Sequence, residues 1–367
     1  MPSHLVGCRI DQRLAFMDKI PTSASIIVNN YNYGRFLRRA IDSALAQTQQ
    51  PSEVVVVDDG STDDSAEIIK SYGDRIIPVF KSNGGQASAI NAAYRYACGD
   101  VVFILDSDDA LYPEAVRTVL SAWKSDTVLV HYLMEVVDSE GNVLGMHPPA
   151  PHRLAEGDVR RELLSTGHFD TTITSAMAFL REPFLEAMPI DETKVRMAVD
   201  GYLVRAVAMK GPVQAITTCL ARQCRHGQND SSFRAGLSEL AASFRKKVGF
   251  TKVEIETVLN IASRLGLSAN EDMGEHDATY LSYRLFSLSL EPGAHPIASD
   301  KLPVLLIKYL TSRLSEGDSP ARRIADVAIA TVAAIAPRQI AFPILQWRYV
   351  PMSRPAWLKM PAVLRRS

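Results

Sequence analysis

The chain has 367 residues, of which 47% are hydrophobic and 22% are charged, and its formal net charge is −1. This is the composition of an ordinary globular protein, large enough for one α/β domain with an extension or for two domains. The near-zero net charge argues against a general polyanion binder, so no nucleic-acid partner is expected. The cysteines lack the spacing of a disulfide framework or a zinc site, which favours a reducing compartment: Cys8, Cys98, Cys219 and Cys224.

No targeting or membrane-spanning segment is expected. Residues 1–22 read as a leader without the long apolar run of a signal peptide. The apolar stretch 324–336 covers only about 13 residues, fewer than the roughly 20 that cross a bilayer. We therefore expect a cytoplasmic protein, either soluble or peripheral on the membrane face.

Short apolar strands alternate with helical patterns after residue 22. The expected strands are 25–28, 54–57, 76–80, 101–105 and 173–180. The expected helices are 36–46, 65–70, 86–97 and one whose first turn contains Pro113 and Glu114, with a turn at 140–142 between two short strands. Continuously apolar strands between helices predict a mostly parallel sheet covered on both faces.

The pattern changes near residue 231. Residues 232–267 and 280–310 lack strand alternation and read as helices, with a polar break at 268–277. The segment 301–367 contains eleven Lys/Arg against three Asp/Glu. We expect three parts, namely the leader 1–22, an α/β domain at 23–231, and a helical extension with a basic tail at 232–367.

Two acidic clusters directly follow predicted strands. One is Asp58-Asp59-Gly60-Ser61-Thr62-Asp63 and the other is Asp106-Ser107-Asp108-Asp109. Ligands of an open parallel sheet bind beyond the carboxyl ends of its strands, so both clusters stand where a ligand would lie. The alternative is that they are ordinary turns, which are also rich in Asp, Gly and Ser.

The chemistry of the clusters suggests two separate tasks. Asp59 could accept the N3–H of a uracil or thymine ring, while Asp58 or Asp63 could hold the loop. The second cluster crowds three carboxylates into four residues, which is costly unless a hard cation neutralises them. Mn²⁺ or Mg²⁺ bound there would also offset the charge of a departing diphosphate.

Gly84 and Gly85 precede a predicted helix. They could let a phosphate approach backbone N–H groups, or they could serve only as a tight turn. Their spacing is not that of a Walker loop or a dinucleotide fingerprint, which argues against kinases and dehydrogenases.

The ordered set of motifs over roughly residues 23–235 resembles glycosyltransferase family 2. The segments that carry the resemblance are Ile27-Val28-Asn29-Asn30-Tyr31-Asn32, the two acidic clusters, Asn83-Gly84-Gly85-Gln86, Asn91 and Gly99-Asp100. The resemblance implies the GT-A fold, a Rossmann-like α/β architecture with a mixed, mostly parallel sheet, and a nucleoside-diphosphate sugar as donor. It places Asn29, Tyr31 and Asp59 around the nucleotide base and Asp108 and Asp109 at the diphosphate and metal. The remaining donor-binding residues that it implies are Asp58, Asn83, Gly84, Gly85, Asn91, Asp106 and Ser107.

Two downstream segments extend the resemblance. Val199-Asp200-Gly201 resembles the Glu-Asp pair that supplies the family's catalytic base, with Val199 in place of the first acid, so Asp200 is the candidate base. The alternative is an aspartate that merely caps a helix. Arg225-His226-Gly227-Gln228 resembles the family's closing segment. It implies His226 at the metal or diphosphate and a positive charge from Arg225, unless both are simply solvated in a loop.

These residues predict transfer of a sugar from a UDP- or dTDP-type donor to an acceptor hydroxyl, with inversion, in polysaccharide or glycoconjugate synthesis. The acceptor would be a carbohydrate or a lipid-linked molecule. The basic tail suits an anionic membrane surface, and it equally suits a solvated tail. The rival interpretations are a sugar-phosphate nucleotidyltransferase, whose usual basic glycine-rich loop is missing at 29–35, and a catalytically inactive binding module.

Overall fold

The computed structural model describes residues 20–149, 153–226, 233, 236–315 and 320–350. These divide into two compact units, residues up to 226 together with 256–269, and residues 227–255 together with 270 onward. The expected leader and the last residues of the basic tail lie outside the described residues.

Nine strands build one mixed sheet in the first unit. They are β1 (Ala24–Asn30), β2 (Glu53–Asp58), β3 (Ile77–Phe80), β4 (Val101–Asp106), β5 (Ala110–Leu111), β6 (Leu129–Asp138), β7 (Val143–His147), β8 (Met177–Leu180) and β9 (Val213–Arg225).

The helices of the first unit connect and cover these strands. They are α1 (Gly34–Leu45), α2 (Ser65–Lys70), α3 (Gln86–Ala93), α4 (Ala115–Ala122), α5 (Arg160–Thr166), α6 (Arg181–Glu186) and α7 (Val199–Ala208). The remaining helices are α8 (Leu237–Arg264), α9 (Ala278–Leu290), α10 (Leu302–Ser315), α11 (Pro320–Ile335) and α12 (Arg338–Tyr349).

The strand order is β3-β2-β1-β4-β8-β6-β9-β5, with β7 paired to β6. Strands β1 to β4 are mutually parallel, whereas β8 lies antiparallel to β4 and β6. In the registers of β1 with its two neighbours, Asn30 stands opposite Asp58 and Asn29 stands opposite Asp106. The carboxyl ends of three neighbouring strands therefore bring both acidic clusters to one edge of the sheet.

Apolar strands with a helix on their face form the core of this unit. Val54 to Val57 and Val101 to Leu105 are buried along their whole length, as expected for parallel strands covered on both sides. Helix α1 packs on the sheet through Leu37, Ala40, Ile41 and Ala44, whose spacing of three to four residues places them on one face.

The largest differences from the sequence expectation concern three elements. The strand expected at 173–180 begins only at Met177, because 174–176 form a short 3₁₀ turn. The helix expected at 280–310 is two helices, α9 and α10, separated by a short 3₁₀ turn at 292–294 and irregular chain. Strand β9 was not predicted, since its polar residues interrupt any apolar run.

The second unit is helical, as expected for this part of the chain. Helix α9 contacts α10, α11 and α12, and Phe244, Leu281, Leu285 and Phe286 are buried in its core. No helix of the described ranges is both long enough and apolar enough to cross a membrane.

Candidate active site

Asp58 and Asp63 fix the loop that follows β2. Asp58 is buried and accepts hydrogen bonds from the Asn30 amide and from the backbone N–H and hydroxyl of Ser61. Asp63 accepts the backbone N–H of Gly34 at 2.9 Å, at the start of α1. Both carboxylates therefore hold the loop, which confirms that expectation for each of them.

Asp59 organises the next loop, between β3 and α3. Its buried carboxylate accepts from the Lys81 ammonium at 2.6 Å and from the Asn83 side-chain amide at 3.1 Å. The backbone N–H groups of Gly84 and Gly85 also donate to it, at 3.0 and 2.6 Å. Because a carboxylate offers only about four acceptor positions, a nucleobase would have to replace one of these donors.

Asp106, at the end of β4, is held by two amides and faces two other carboxylates. The Asn29 and Gln86 side chains donate to its Oδ1 at 2.7 and 3.1 Å. Loss of hydration, followed by the charge of Asp108, raises the pKa of Asp106 to about 7, and the charge of Asp200 acts in the same direction. The two halves of the candidate site, Asp106-Asp108 and Asp200, are therefore electrostatically coupled.

Asp109, which the resemblance places at the metal, is held within the protein by hydrogen bonds. It is buried, accepts the backbone N–H of Cys224 at 3.0 Å and is hydrogen-bonded to the Ser175 side chain. Burial and the charge of Asp108 raise its pKa. The side chain therefore fastens the β4–β5 loop to β9, and we regard it as a support of the loop.

Asp108 and His226 meet across the site. Nε2 of His226 lies 3.1 Å from a carboxylate oxygen of Asp108. The His226 ring stacks on Phe36 with centroids 4.5 Å apart and meets Tyr33 edge-on at 5.4 Å. Two residues of the α1 region thus orient the imidazole.

This pair fits a divalent cation that completes its shell with ligand oxygens. The described part of the chain contains no group of three His, Cys, Asp or Glu side chains in a metal-binding arrangement. Mn²⁺ and Mg²⁺ are commonly held by one or two protein ligands together with substrate phosphates and water. A carboxylate oxygen of Asp108 and Nε2 of His226 would be the two protein ligands of such a partial site, and the neighbouring carboxylates favour a cation there.

Asp200 lies in the first turn of α7, half-buried, and Ala198 precedes it in a left-handed conformation with φ 58°. The prediction that it begins a helix is confirmed. Two other acids lie shortly before it in the chain: Glu192 accepts from Asn91 and Asp191 accepts from Thr193, while Asp200 accepts the backbone N–H of Gly201 at 3.0 Å.

The other expected donor-site residues are placed as follows. Asn91 exchanges two hydrogen bonds with the backbone of Ile190, so it holds the chain that leads to α7 and takes a positioning role. Tyr31 and Arg225 are exposed at the ends of β1 and β9, and Ser107 is buried. The expected donor-site roles of Tyr31, Arg225 and Ser107 stay predictions.

Several residues that build the site were not predicted from the sequence to have a role in it. Lys81 follows β3 directly, and its position at a strand end could have identified it. Phe36 gave no such signal, because an aromatic residue on a helix is an ordinary core residue. Gln86 was part of the recognised motif, but its partners were not foreseeable.

Comparison with known proteins identifies the family of this chain. Residues 25–187 match the family described as Glycosyl transferase family 2. An uncharacterized glycosyltransferase of Nostoc sp. is 34% identical over 267 residues, covering 71% of this chain and 80% of the relative. The chain therefore belongs to glycosyl transferase family 2 and is an enzyme of the glycosyltransferase class, which sets aside the two rival interpretations.

Two further relatives match a smaller share of this chain and about a fifth of their own length. The hyaluronan synthase of Pasteurella multocida is 31% identical over 231 residues, covering 61% of this chain and 22% of the synthase. The chondroitin synthase of the same species is 33% identical over 56% of this chain and 21% of its own length. Residues 1–349 of S. aureus TarS, crystallised with UDP, superpose with a TM-score of 0.50 at 17% identity, over 89% of each chain. This likeness confirms the GT-A fold.

Proposed function

We propose that the enzyme transfers a sugar from a UDP- or dTDP-type donor to a hydroxyl of a carbohydrate or lipid-linked acceptor, with inversion. The observation that carries this proposal is the link between Asp106, at the carboxyl end of β4 beside Asp108, and the start of α7, which carries Asp200: the Gln86 side chain binds both. Donor binding and proton removal both need carboxylates, and this site supplies them on different elements.

The diphosphate of the donor would lie at Asp108 and His226, together with Mn²⁺ or Mg²⁺. The cation, when bound, would stabilise the negative charge of the leaving nucleoside diphosphate. Asn29 and Gln86 orient Asp106 behind it, and Asp109 holds the loop to β9.

Asp200 would act as the general base. A single displacement that inverts the anomeric carbon needs one carboxylate near the acceptor hydroxyl, on the side opposite the leaving group. Asp200 stands in the first turn of α7, directly after Val199, whose N–H is bound by the same Gln86 side chain that binds Asp106, and this placement supports the role. The names of the two Pasteurella relatives support polysaccharide or glycoconjugate synthesis as the context.

Calorimetry of UDP binding, with and without Mn²⁺, tests the donor half of the proposal. We expect affinity to fall after chelation and in Asp108→Ala, because the phosphate charge is then uncompensated. Asp74→Ala, which removes an exposed aspartate from a 3₁₀ turn, is the matched control and should bind normally. Equal affinity in chelated and Mn²⁺-loaded enzyme would overturn the metal assignment.

We also propose that the second unit meets an anionic membrane surface. Helix α12 has an apolar stripe, Ile340, Pro343, Ile344 and Trp347, at the i, i+3, i+4, i+7 spacing, and Ile340 and Trp347 are exposed. After Asp326 the sequence contains six Lys/Arg and no Asp/Glu. Exposed apolar side chains followed by unbroken positive charge are the combination that binds anionic lipid.

A further inference from the structure

One glutamine connects the donor side of the site to the helix that carries the candidate base. The Gln86 side-chain amide donates to Oδ1 of Asp106 at 3.1 Å. Its carbonyl oxygen accepts the backbone N–H of Val199 at 3.2 Å. Val199 is the first residue of α7 and immediately precedes Asp200, so a single side chain spans the two halves of the site.

The chain before α7 is docked on the start of α3 by three further contacts. The Ala87 N–H donates to the carbonyl of Arg196 at 3.2 Å, and the Arg196 guanidinium donates to the Asn83 side chain at 3.0 Å. Gly85 has φ +93°, and a Cβ there would lie 2.6 Å from Cγ of Arg196. Only glycine allows this close approach without displacing Arg196.

We propose that Gln86 is a positioning residue for glycosyl transfer, bracing the start of α7 so that Asp200 is held at a fixed distance from Asp106. The inference rests on the proposed role of Asp200. The Gln86 side chain links the Asp106 carboxylate to the backbone N–H of the residue before Asp200, so it fixes the start of α7 relative to the donor side of the site. An uncharged amide, which donates on one side and accepts on the other, provides the tie without adding charge.

The position of the base matters because proton removal depends on geometry. A displacement of about 1 Å at a reacting group can cost about 100-fold in rate. Loss of the brace would therefore reduce transfer to the acceptor, while departure of the leaving group to water, which needs no contact with α7, would continue. The ratio of transfer to donor hydrolysis is a readout that general loss of stability would not change.

The test is Gln86→Met, which preserves the length of the side chain and removes both hydrogen bonds. We expect transfer to fall about 10- to 100-fold, and to fall by more than donor hydrolysis and UDP affinity do, so that the ratio of transfer to hydrolysis drops. Gln49→Met is the matched control, because it removes a glutamine side chain that donates to the Thr22 carbonyl, outside the site. A wild-type ratio of transfer to hydrolysis in Gln86→Met would overturn the proposal.

Arg196→Met gives an independent check, since Arg196 is exposed and its loss should not affect folding. It removes the bond to Asn83 and should lower the same ratio. If Gln86→Met does not fold, the smaller variant Gln86→Ala, which also removes both Gln86 hydrogen bonds, decides the question, and a wild-type ratio in it overturns the proposal.

A double-mutant cycle separates this inference from the proposed function. If Asp200 is the base and Gln86 acts through it, Gln86→Met should cost little more in an Asp200→Asn background. Full additivity would overturn the brace while leaving Asp200 as the base. Normal transfer in Asp200→Asn alone would instead overturn the proposed function.

Discussion

Asp200 is the single residue on which proton removal depends in the proposed displacement. We expect Asp200→Asn to bind donor and metal normally and to transfer ~10²- to 10⁴-fold more slowly, the usual contribution of a general base. Slow hydrolysis of the donor should persist, because the leaving group keeps its own stabilisation. Steady-state transfer rates, compared with UDP affinity, provide the measurement.

Asp191→Asn and Glu192→Gln are the controls for this prediction. Their carboxylates are bonded to Thr193 and Asn91, so we expect both variants to keep most of their activity. Loss of transfer in either variant, together with normal transfer in Asp200→Asn, would show that the base is misassigned.

His131 makes stability depend on pH. It is fully buried between the Thr171 hydroxyl and the Ala155 carbonyl, and burial lowers its pKa to about 4. Between about pH 6.5 and 4 the unfolded chain binds a proton that the folded chain does not, so the free energy of unfolding falls as the pH falls. We expect denaturant titrations of His131→Gln to show a shallower loss over this window, by about 3 kcal/mol. Parallel curves for the two proteins would contradict this.

At the level of single residues, the sequence predicted where acids gather but not where each one points. Asp59 and Asp109 both follow strands, and both were assigned to ligands. In the structure their oxygens are occupied by Gly85 and Cys224 backbone N–H groups and by other donors. Side-chain direction depends on which loop packs nearby, and a linear pattern does not contain that information.

Helix α1 supports the candidate metal pair through its buried face. Phe36 stacks on His226, and Phe36→Leu would preserve apolar volume while removing the flat surface that orients the ring. We expect Mn²⁺-dependent UDP affinity to fall about 10-fold, the usual effect of losing a residue that orients a metal ligand. The melting temperature should change little.

The matched control is Phe179→Leu, which alters a buried aromatic residue on β8 that packs on Phe184. It should affect stability as much as Phe36→Leu does, or more, and leave UDP affinity unchanged. Equal loss of affinity in both variants would mean that His226 is not oriented by the stack.

Strands made of a continuous apolar run were predictable from the sequence, and the strand that mixes polar and apolar residues was not. Strands β1, β2 and β4 were identified within one or two residues, because burial on both faces makes their central residues a continuous apolar run. Strand β9 escaped because Thr217, Thr218 and Arg222 are polar, and only its pairing with β6 and β5 defines it. Because His226 directly follows β9, the strand that positions His226 was not predicted from the sequence.

For the whole molecule, the basic C-terminal region gives a test of location. We expect the full-length protein to co-sediment with vesicles containing anionic lipid. A variant with Ile340→Ser and Trp347→Ser should lose most of this binding, because two large apolar groups no longer insert. High salt should also weaken the binding, as the positive charges are screened.

The control is Val143→Ser with Leu144→Ser, which removes two equally exposed apolar side chains from β7 in the other unit. That variant should sediment like the wild type. Equal binding by all three proteins, or binding to neutral vesicles alone, would show that α12 is not the membrane surface.

The strained backbone at Ala198 carries a consequence for engineering. An alanine with positive φ costs roughly 1 to 2 kcal/mol, and a glycine there would relax the chain. Ala198→Gly would relieve this strain and should raise the melting temperature. The same change would make the chain before α7 more flexible, and the position of the Asp200 carboxylate would then be less well fixed. Directed evolution for heat resistance should select this substitution, and directed evolution for turnover should reject it.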